Sequence, residues 1–249
     1  MAVDLHKKAE RAGIVLMKQG VANPPRLRVG LMMDISGSMR TLYSNGTVQE
    51  VINHVLGLAM AFDPSHRLDV FVFDDKSAQL PVPATPQNYL DYVDRQILTE
   101  DEIPKFGTTK YAGVVHKFQD HYFGEHPDHT EHREHKPGLL GRLFHHGAAR
   151  PPVDPEIAKI PVLGLLITDG DNEDHRASEI AIQRSAPYPV FWSLVGVGRH
   201  AFGFLKQMDR EFPDAEFVDL EDLGLSDDML YAELVSAKLV RWLKQHPPQ

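Results

Sequence analysis

Four short stretches of this chain are almost wholly apolar, and each stops abruptly at a polar residue or glycine. They are Leu27 to Met33 before Asp34, Leu68 to Phe73 before Asp74, Val162 to Thr168 before Asp169, and Val190 to Val197 before Gly198. A strand that is apolar at consecutive positions has to be covered on both faces, which is the condition of a strand inside a parallel sheet. The segments between them have helical spacing. Val48, Val51, Val55, Leu58 and Phe62 fall on one face, and further helices are predicted over Tyr89 to Ile97, Tyr111 to about Tyr122, Ala177 to Arg184 and Phe202 to Met208. Strands alternating with helices predict an α/β fold: a doubly wound, mostly parallel sheet with helices on both faces. Phe217-Val218 is expected as a last edge strand.

Both ends of the chain add helices to this pattern. Leu5, Ala9, Ala12 and Leu16 predict an N-terminal helix over about residues 3–20, closed by Gly20 and the Asn23-Pro24-Pro25 turn. Tyr231, Val235, Leu239 and Trp242 fall on one face of a C-terminal helix predicted over about 226–245. One segment, about 124–155, breaks the alternation: it is rich in Pro, Gly and His and has little apolar content, so it reads as an insertion in a connection. Residues 1–249 are expected to form one domain carrying these additions.

Composition narrows the function. At 42% hydrophobic and 24% charged the chain has the apolar mass for a full core. A net charge of -9 gives no basic footprint for nucleic acid. Cysteine is absent, which removes disulfides and thiolate metal sites. Lys7, Lys8, Glu10 and Arg11 interrupt any signal-type run near the start, and no stretch has the roughly 18 consecutive apolar residues of a membrane span. The expectation is a cytoplasmic protein that engages neither membrane nor nucleic acid.

The chemistry gathers at strand ends, where a sheet of this kind builds its sites. The first strand ends in Asp34-Ile35-Ser36-Gly37-Ser38, a loop before a helix carries Gly107-Thr108-Thr109, and the strand after the insertion ends in Thr168-Asp169-Gly170. Alternating Asp34, Ser36 and Ser38 around a flexible glycine can bring oxygen groups together, and carboxylates with hydroxyls suit Mg²⁺, Mn²⁺ or Ca²⁺. Taken alone, the first of these motifs is equally a helix N-cap, and Thr109 too could cap a helix.

Together the three pieces resemble the metal-ion-dependent adhesion site of von Willebrand factor A (VWA) domains. Val3 to Ala9, the Gly196-Val197-Gly198 turn before Phe204-Leu205, and Asp228 to Tyr231 before Trp242-Leu243 are similar to the bacterial tellurite-resistance (Ter-type) VWA proteins. The resemblance implies a Rossmann-like VWA fold. It also implies Mg²⁺ (or Mn²⁺ or Ca²⁺) coordinated by Ser36, Ser38 and Thr109, with Asp34 and Asp169 acting mostly through water. Thr109 is the matching residue because Tyr111 and Ala112 supply the apolar and small residues that follow the family's Thr. Thr108 departs from the family, which often has a second glycine there. The implied function is a non-enzymatic interaction module of a tellurite-resistance or stress-response system, whose protein partner supplies an Asp or Glu to the metal.

Rival readings rest on other residues. A metal-dependent phosphoester hydrolase needs a base beside the metal, and His175 is the histidine nearest a site motif. Metal sequestration would use His116, His121, His126, His129, His132, His135, His145 and His146, of which His129, His132 and His135 recur every third residue. Asp169-Gly170-Asp171 does not fit the EF-hand ladder. Asp171, Glu173 and Asp174 read instead as acidic charges at a helix N-terminus. Gly196-Val197-Gly198 lacks the third glycine of a dinucleotide fingerprint and reads as a tight turn.

Overall fold

The four apolar runs become β1 (Arg28–Asp34), β2 (Asp69–Phe73), β4 (Val162–Thr168) and β5 (Val190–Val197) in the computed structural model. The structure describes residues 4–21, 23–63, 65–103, 105–124, 153–221 and 225–246. Two further strands, β3 (Ser77–Gln79) and β6 (Ala215–Leu220), complete a six-stranded sheet in the order β3-β2-β1-β4-β5-β6. Every neighbouring pair is parallel except β2 with β3. The edge strand expected at Phe217-Val218 is therefore longer than the sequence predicts. The antiparallel β3 was not anticipated, because Ser-Ala-Gln is too short and polar to give a strand signal.

Helices cover both faces. On one side lie α1 (Leu5–Lys18) and α3 (Thr47–Phe62), with Val29, Leu31 and Met33 of β1 facing them. On the other lie α4 (Ala112–Phe123), α6 (His175–Gln183) and α7 (Gly203–Glu211), which meet Met32 of β1 and Leu166 of β4. Short helices α2 (Arg40–Ser44) and α5 (Pro155–Ala158) fill connections. The segment predicted as a helix over Tyr89 to Ile97 is a 3₁₀ turn at Tyr89–Asp91 followed by a π-type turn at Asp94–Leu98.

The C-terminal helix is a correction. It divides into α8 (Asp227–Leu234) and α9 (Ala237–Gln245), because Val235 leaves helical geometry and Ser236 caps a new start by accepting the Leu239 N–H at 3.0 Å. Tyr231, Val235, Leu239 and Trp242 are all buried across the break, which is why the periodicity alone could not reveal it. The terminal helices are joined in the same layer, where Lys8 Nζ on α1 lies 2.6 Å from Asp227 on α8, and His54 of α3 contacts the same carboxylate at 2.8 Å.

One close approach fixes the other layer. A Cβ on Gly164 of β4 would lie 2.9 Å from the Trp192 ring and 3.0 Å from Phe118 of α4, so no larger residue fits beneath that helix. The histidine-rich insertion expected at about 124–155 lies, between 125 and 152, outside the described residues, and with it His126, His129, His132, His135, His145 and His146.

Candidate metal centre

Parallel pairing brings the ends of β1 and β4 side by side, with Met33 opposite Ile167 and the next residues, Asp34 and Thr168, at the rim. Asp34 is fully buried. One carboxylate oxygen, Oδ1, accepts the Ser36 N–H at 2.6 Å, and Oδ2 accepts the Thr168 hydroxyl at 2.5 Å. The Asp34 carbonyl accepts from the Tyr43 hydroxyl at 3.1 Å. Among the described residues no Lys, Arg or His pairs with either Asp34 or Asp169. Burial pushes the Asp34 carboxyl up from an ordinary value of 3.8 to about 6, against the lowering effect of the Thr168 and Ser36 hydrogen bonds.

The two serines extend from this anchor. Ser38 donates its hydroxyl to Asp169 Oδ1 at 2.7 Å, and the Ser36 and Ser38 oxygens are 3.2 Å apart. Because the Ser38 proton is used on Asp169, Ser36 is the donor between the serines, and both oxygens keep lone pairs for a further ligand. Asp34, Ser36, Ser38 and Asp169 thus form one hydrogen-bonded string.

Thr109 joins by a different route. Its loop is stitched to the β1 turn by Phe106 N–H to the Ile35 carbonyl at 2.8 Å and Gly37 N–H to the Gly107 carbonyl at 3.0 Å. The Thr109 carbonyl accepts from Glu173 N–H at 2.9 Å, and Thr108 donates its hydroxyl to Glu173 at 3.0 Å. Among the described residues, the Thr109 side chain makes no hydrogen bond to the other four.

Two acids missed by motif reading hold that loop. Asp74, buried at the end of β2, accepts Lys76 N–H at 2.9 Å and Gly107 N–H at 3.0 Å, while its carbonyl accepts Lys110 N–H at 3.0 Å. A Cβ on Gly107 would fall 2.3 Å from an Asp75 oxygen and 3.0 Å from an Asp74 oxygen, so a larger residue would have to displace these carboxylates, including the Asp74 group that accepts the Gly107 N–H. Asp174 has the position of an N-cap for α6, as its reading as a helix-terminal charge implies, but its carboxylate turns away to α4. There it accepts Tyr111 N–H at 3.0 Å and Ala112 N–H at 3.1 Å, besides the Asn172 amide and the Ser178 hydroxyl. The first two backbone donors at the start of α4, Tyr111 and Ala112, are met by Asp174, and among the described residues the Thr109 side chain makes no capping bond there. Thr168 and Tyr111 stand in the sequence motifs, but their contacts, including the Tyr111 hydroxyl donating to the Gly170 carbonyl at 2.7 Å, were not visible without strand order.

Elsewhere, His175 lies 3.3 Å from Asp171 and stacks on Phe204. Gly198 takes a left-handed φ of 92°, as a tight turn requires. Among the described residues no three His, Asp or Glu side chains gather as a metal-ligand group, so this centre depends on hydroxyls.

A family model described as vWA found in TerF C terminus matches residues 26–131 and 150–248. Uncharacterized protein YcbR of Bacillus subtilis (strain 168) is 33% identical over 207 residues, covering 83% of this chain and 70% of that protein. Among solved structures, proximal thread matrix protein 1 from the mussel byssus superimposes with a TM-score of 0.53 at 14% identity, over 87% of this chain and 46% of that one. A von Willebrand factor type A structure from Catenulispora acidiphila gives 0.50 at 13% identity, over 86% of this chain and 43% of that one. Manganese-loaded TRAP protein of Plasmodium vivax gives 0.50 at 15%, over 86% and 73%. The chain spans less than half the length of the mussel and Catenulispora chains, and likeness at these identities concerns the fold.

Two outcomes are expected from this geometry. Asp174→Ala strands two backbone donors and should cost on the order of 3 kcal/mol in denaturant unfolding, with faster amide exchange at Tyr111 and Ala112. Exposed Glu173→Ala should change stability by less than about 1 kcal/mol. Equal, small losses in both would contradict the role given to Asp174. The second concerns pH. Between about pH 4 and 6 the folded protein holds a proton on Asp34 that the unfolded chain has released, so this group's contribution to stability falls as pH rises through that window. In EDTA, wild type should therefore lose roughly 3 kcal/mol relative to Asp34→Asn between pH 4 and 7. A difference that stays constant with pH would refute the buried, unpaired carboxylate.

Proposed function

The chain belongs to the von Willebrand factor A family of the type found at the TerF C terminus, and we propose that it is a protein-interaction module whose binding depends on a divalent cation. The cation is held by Asp34, Ser36, Ser38, Thr109 and Asp169. The observation that carries this reading is the string of Asp34, Ser36, Ser38 and Asp169 at the carboxyl ends of β1 and β4, all oxygen and without a paired cation among the described residues. VWA domains are generally interaction modules, and the same reading makes this chain a non-enzyme.

The donor set fits Mg²⁺, with Mn²⁺ or Ca²⁺ as substitutes, since all three favour hard oxygen ligands. Ser36 and Ser38 can offer lone pairs while their hydroxyl protons are donated to Ser38 and Asp169 respectively. Asp34, held on both oxygens by Ser36 N–H and Thr168, fixes the turn and supplies negative charge. The Asp74 and Asp174 carboxylates hold the loop that presents Thr109. When bound, the cation supplies an electrophilic point open to an additional carboxylate, because two protein carboxylates only balance its charge and hydroxyls add none. The partner in this reading is a protein contributing an Asp or Glu.

The TerF match supports a place in a bacterial tellurite-resistance or stress response. A cytoplasmic setting belongs to the same proposal; among the described residues no helix is long and apolar enough to cross a membrane.

Calorimetry with Mn²⁺ and Mg²⁺ tests the assignment. Wild type should bind one ion, and Asp34→Ala and Asp169→Ala should each weaken it by tenfold or more, whereas Asp171→Ala should leave it nearly unchanged. Undiminished affinity in both site variants would remove the ion from this position.

A further inference from the structure

Arg40 stands two residues beyond Ser38, at the start of α2, and is exposed. Its guanidinium carbon lies 3.9 Å above the Phe106 ring, a cation–π contact that fixes where the side chain sits. Phe106 takes a left-handed φ of 68°, a conformation that is strained for a non-glycine residue. The surroundings hold it there. Its N–H donates to the Ile35 carbonyl at 2.8 Å, and its ring meets Tyr43 edge-on, with centroids 6.5 Å apart. Tyr43 in turn donates to the carbonyl of Asp34. The platform under Arg40 is therefore tied to the residue that heads the candidate metal centre.

Stacking uses one face of a guanidinium and leaves its N–H edges free to donate. Among the described residues no carboxylate lies within ion-pair distance of Arg40, although the chain carries a net charge of -9. Lys110, next to Thr109, and Lys76, whose carbonyl accepts Asp74 N–H at 2.9 Å, are also exposed and without an ion pair among the described residues. Arg40 on α2, Lys76 after β2 and Lys110 before α4 are thus three exposed cations, set against the one exposed carboxylate of Asp75 in residues 74–76 and 107–111. The turn after β4 carries exposed Asp171 and Glu173, and Glu173 adjoins the Lys110 loop by accepting the Thr108 hydroxyl at 3.0 Å. An acidic ligand is therefore drawn to Arg40, which has no carboxylate within ion-pair distance among the described residues, and disfavoured beside Asp171 and Glu173.

We propose that Arg40 is a second anchor for the partner, which therefore presents two carboxylates close together, one at the metal and one at the free edge of the Arg40 guanidinium. This rests on the metal-dependent reading above and specifies its partner as an acidic segment of another protein. Arg suits the role because its planar fork pairs with a carboxylate through two parallel hydrogen bonds.

Water-proton relaxation of the Mn²⁺-loaded protein supplies the test, since a carboxylate that displaces metal-bound water lowers the relaxation rate. The probes are end-blocked Gly/Ser peptides with one Asp, and a series in which a second Asp stands one to four residues from the first. At least one two-acid peptide should bind wild type several-fold more tightly than the one-acid peptide. In Arg40→Gln that advantage should vanish while Mn²⁺ affinity and Tm stay as in wild type, and Arg40→Lys should restore part of it. An advantage that persists in Arg40→Gln, or no advantage for any two-acid peptide, overturns the second anchor while leaving the metal site standing. Mn²⁺ binding that is absent, or unaffected by Asp34→Ala, overturns the metal reading and this proposal with it.

Discussion

A carboxylate buried without a cation is costly, and at the end of β1 the surrounding structure is arranged around that cost. Asp34 gives up water for two hydrogen bonds, one from the Ser36 backbone and one from Thr168 on the adjacent strand. The first bond sets the turn that carries Ser36 and Ser38. The second couples that turn to β4, so the position of Asp169 relative to Ser38 is fixed by strand pairing and not by the loops alone. Neither bond cancels the desolvation, since Asp34 is still pushed up to about 6. The residual imbalance is what a divalent ion would correct.

Supporting residues convey the same rigidity outward. Asp74, at the end of β2, and Asp174, at the start of α6, hold the Thr109 loop at its two ends, Gly107 and Tyr111-Ala112. Each uses its carboxylate to accept backbone N–H groups of a segment far away in sequence. A loop held at both ends by charged acceptors presents its side chains with little entropy left to lose on binding, the condition under which weak hydroxyl donors are useful ligands.

Much of this was legible from residues alone, for identifiable reasons. Buried parallel strands announce themselves as apolar runs, and Asp34, Ser36, Ser38, Thr109 and Asp169 sit in local patterns at their ends. What escaped depends on which strand lies beside which. Nothing near Thr168 tells that its hydroxyl faces Asp34, because the β1–β4 pairing joins residues with the whole insertion between them. Asp174 looks like an ordinary cap for α6, and only the approach of α4 shows whose donors it accepts. The C-terminal helix misled for the opposite reason: its apolar period runs unbroken through Val235, and Ser236 was the single sign of a new start. Phe106 was unreadable because nothing in its local sequence signals a left-handed backbone.

The central claim is that these oxygens form a cation site and not merely a hydrogen-bonded turn. The most direct measurement is anomalous X-ray scattering from crystals grown with Mn²⁺. A single strong peak beside the Ser36 and Ser38 hydroxyls and within reach of Thr109, absent from crystals of Asp34→Ala, is the expected result. Manganese found elsewhere, or none at this position in saturating Mn²⁺, would show that the turn is complete without an ion.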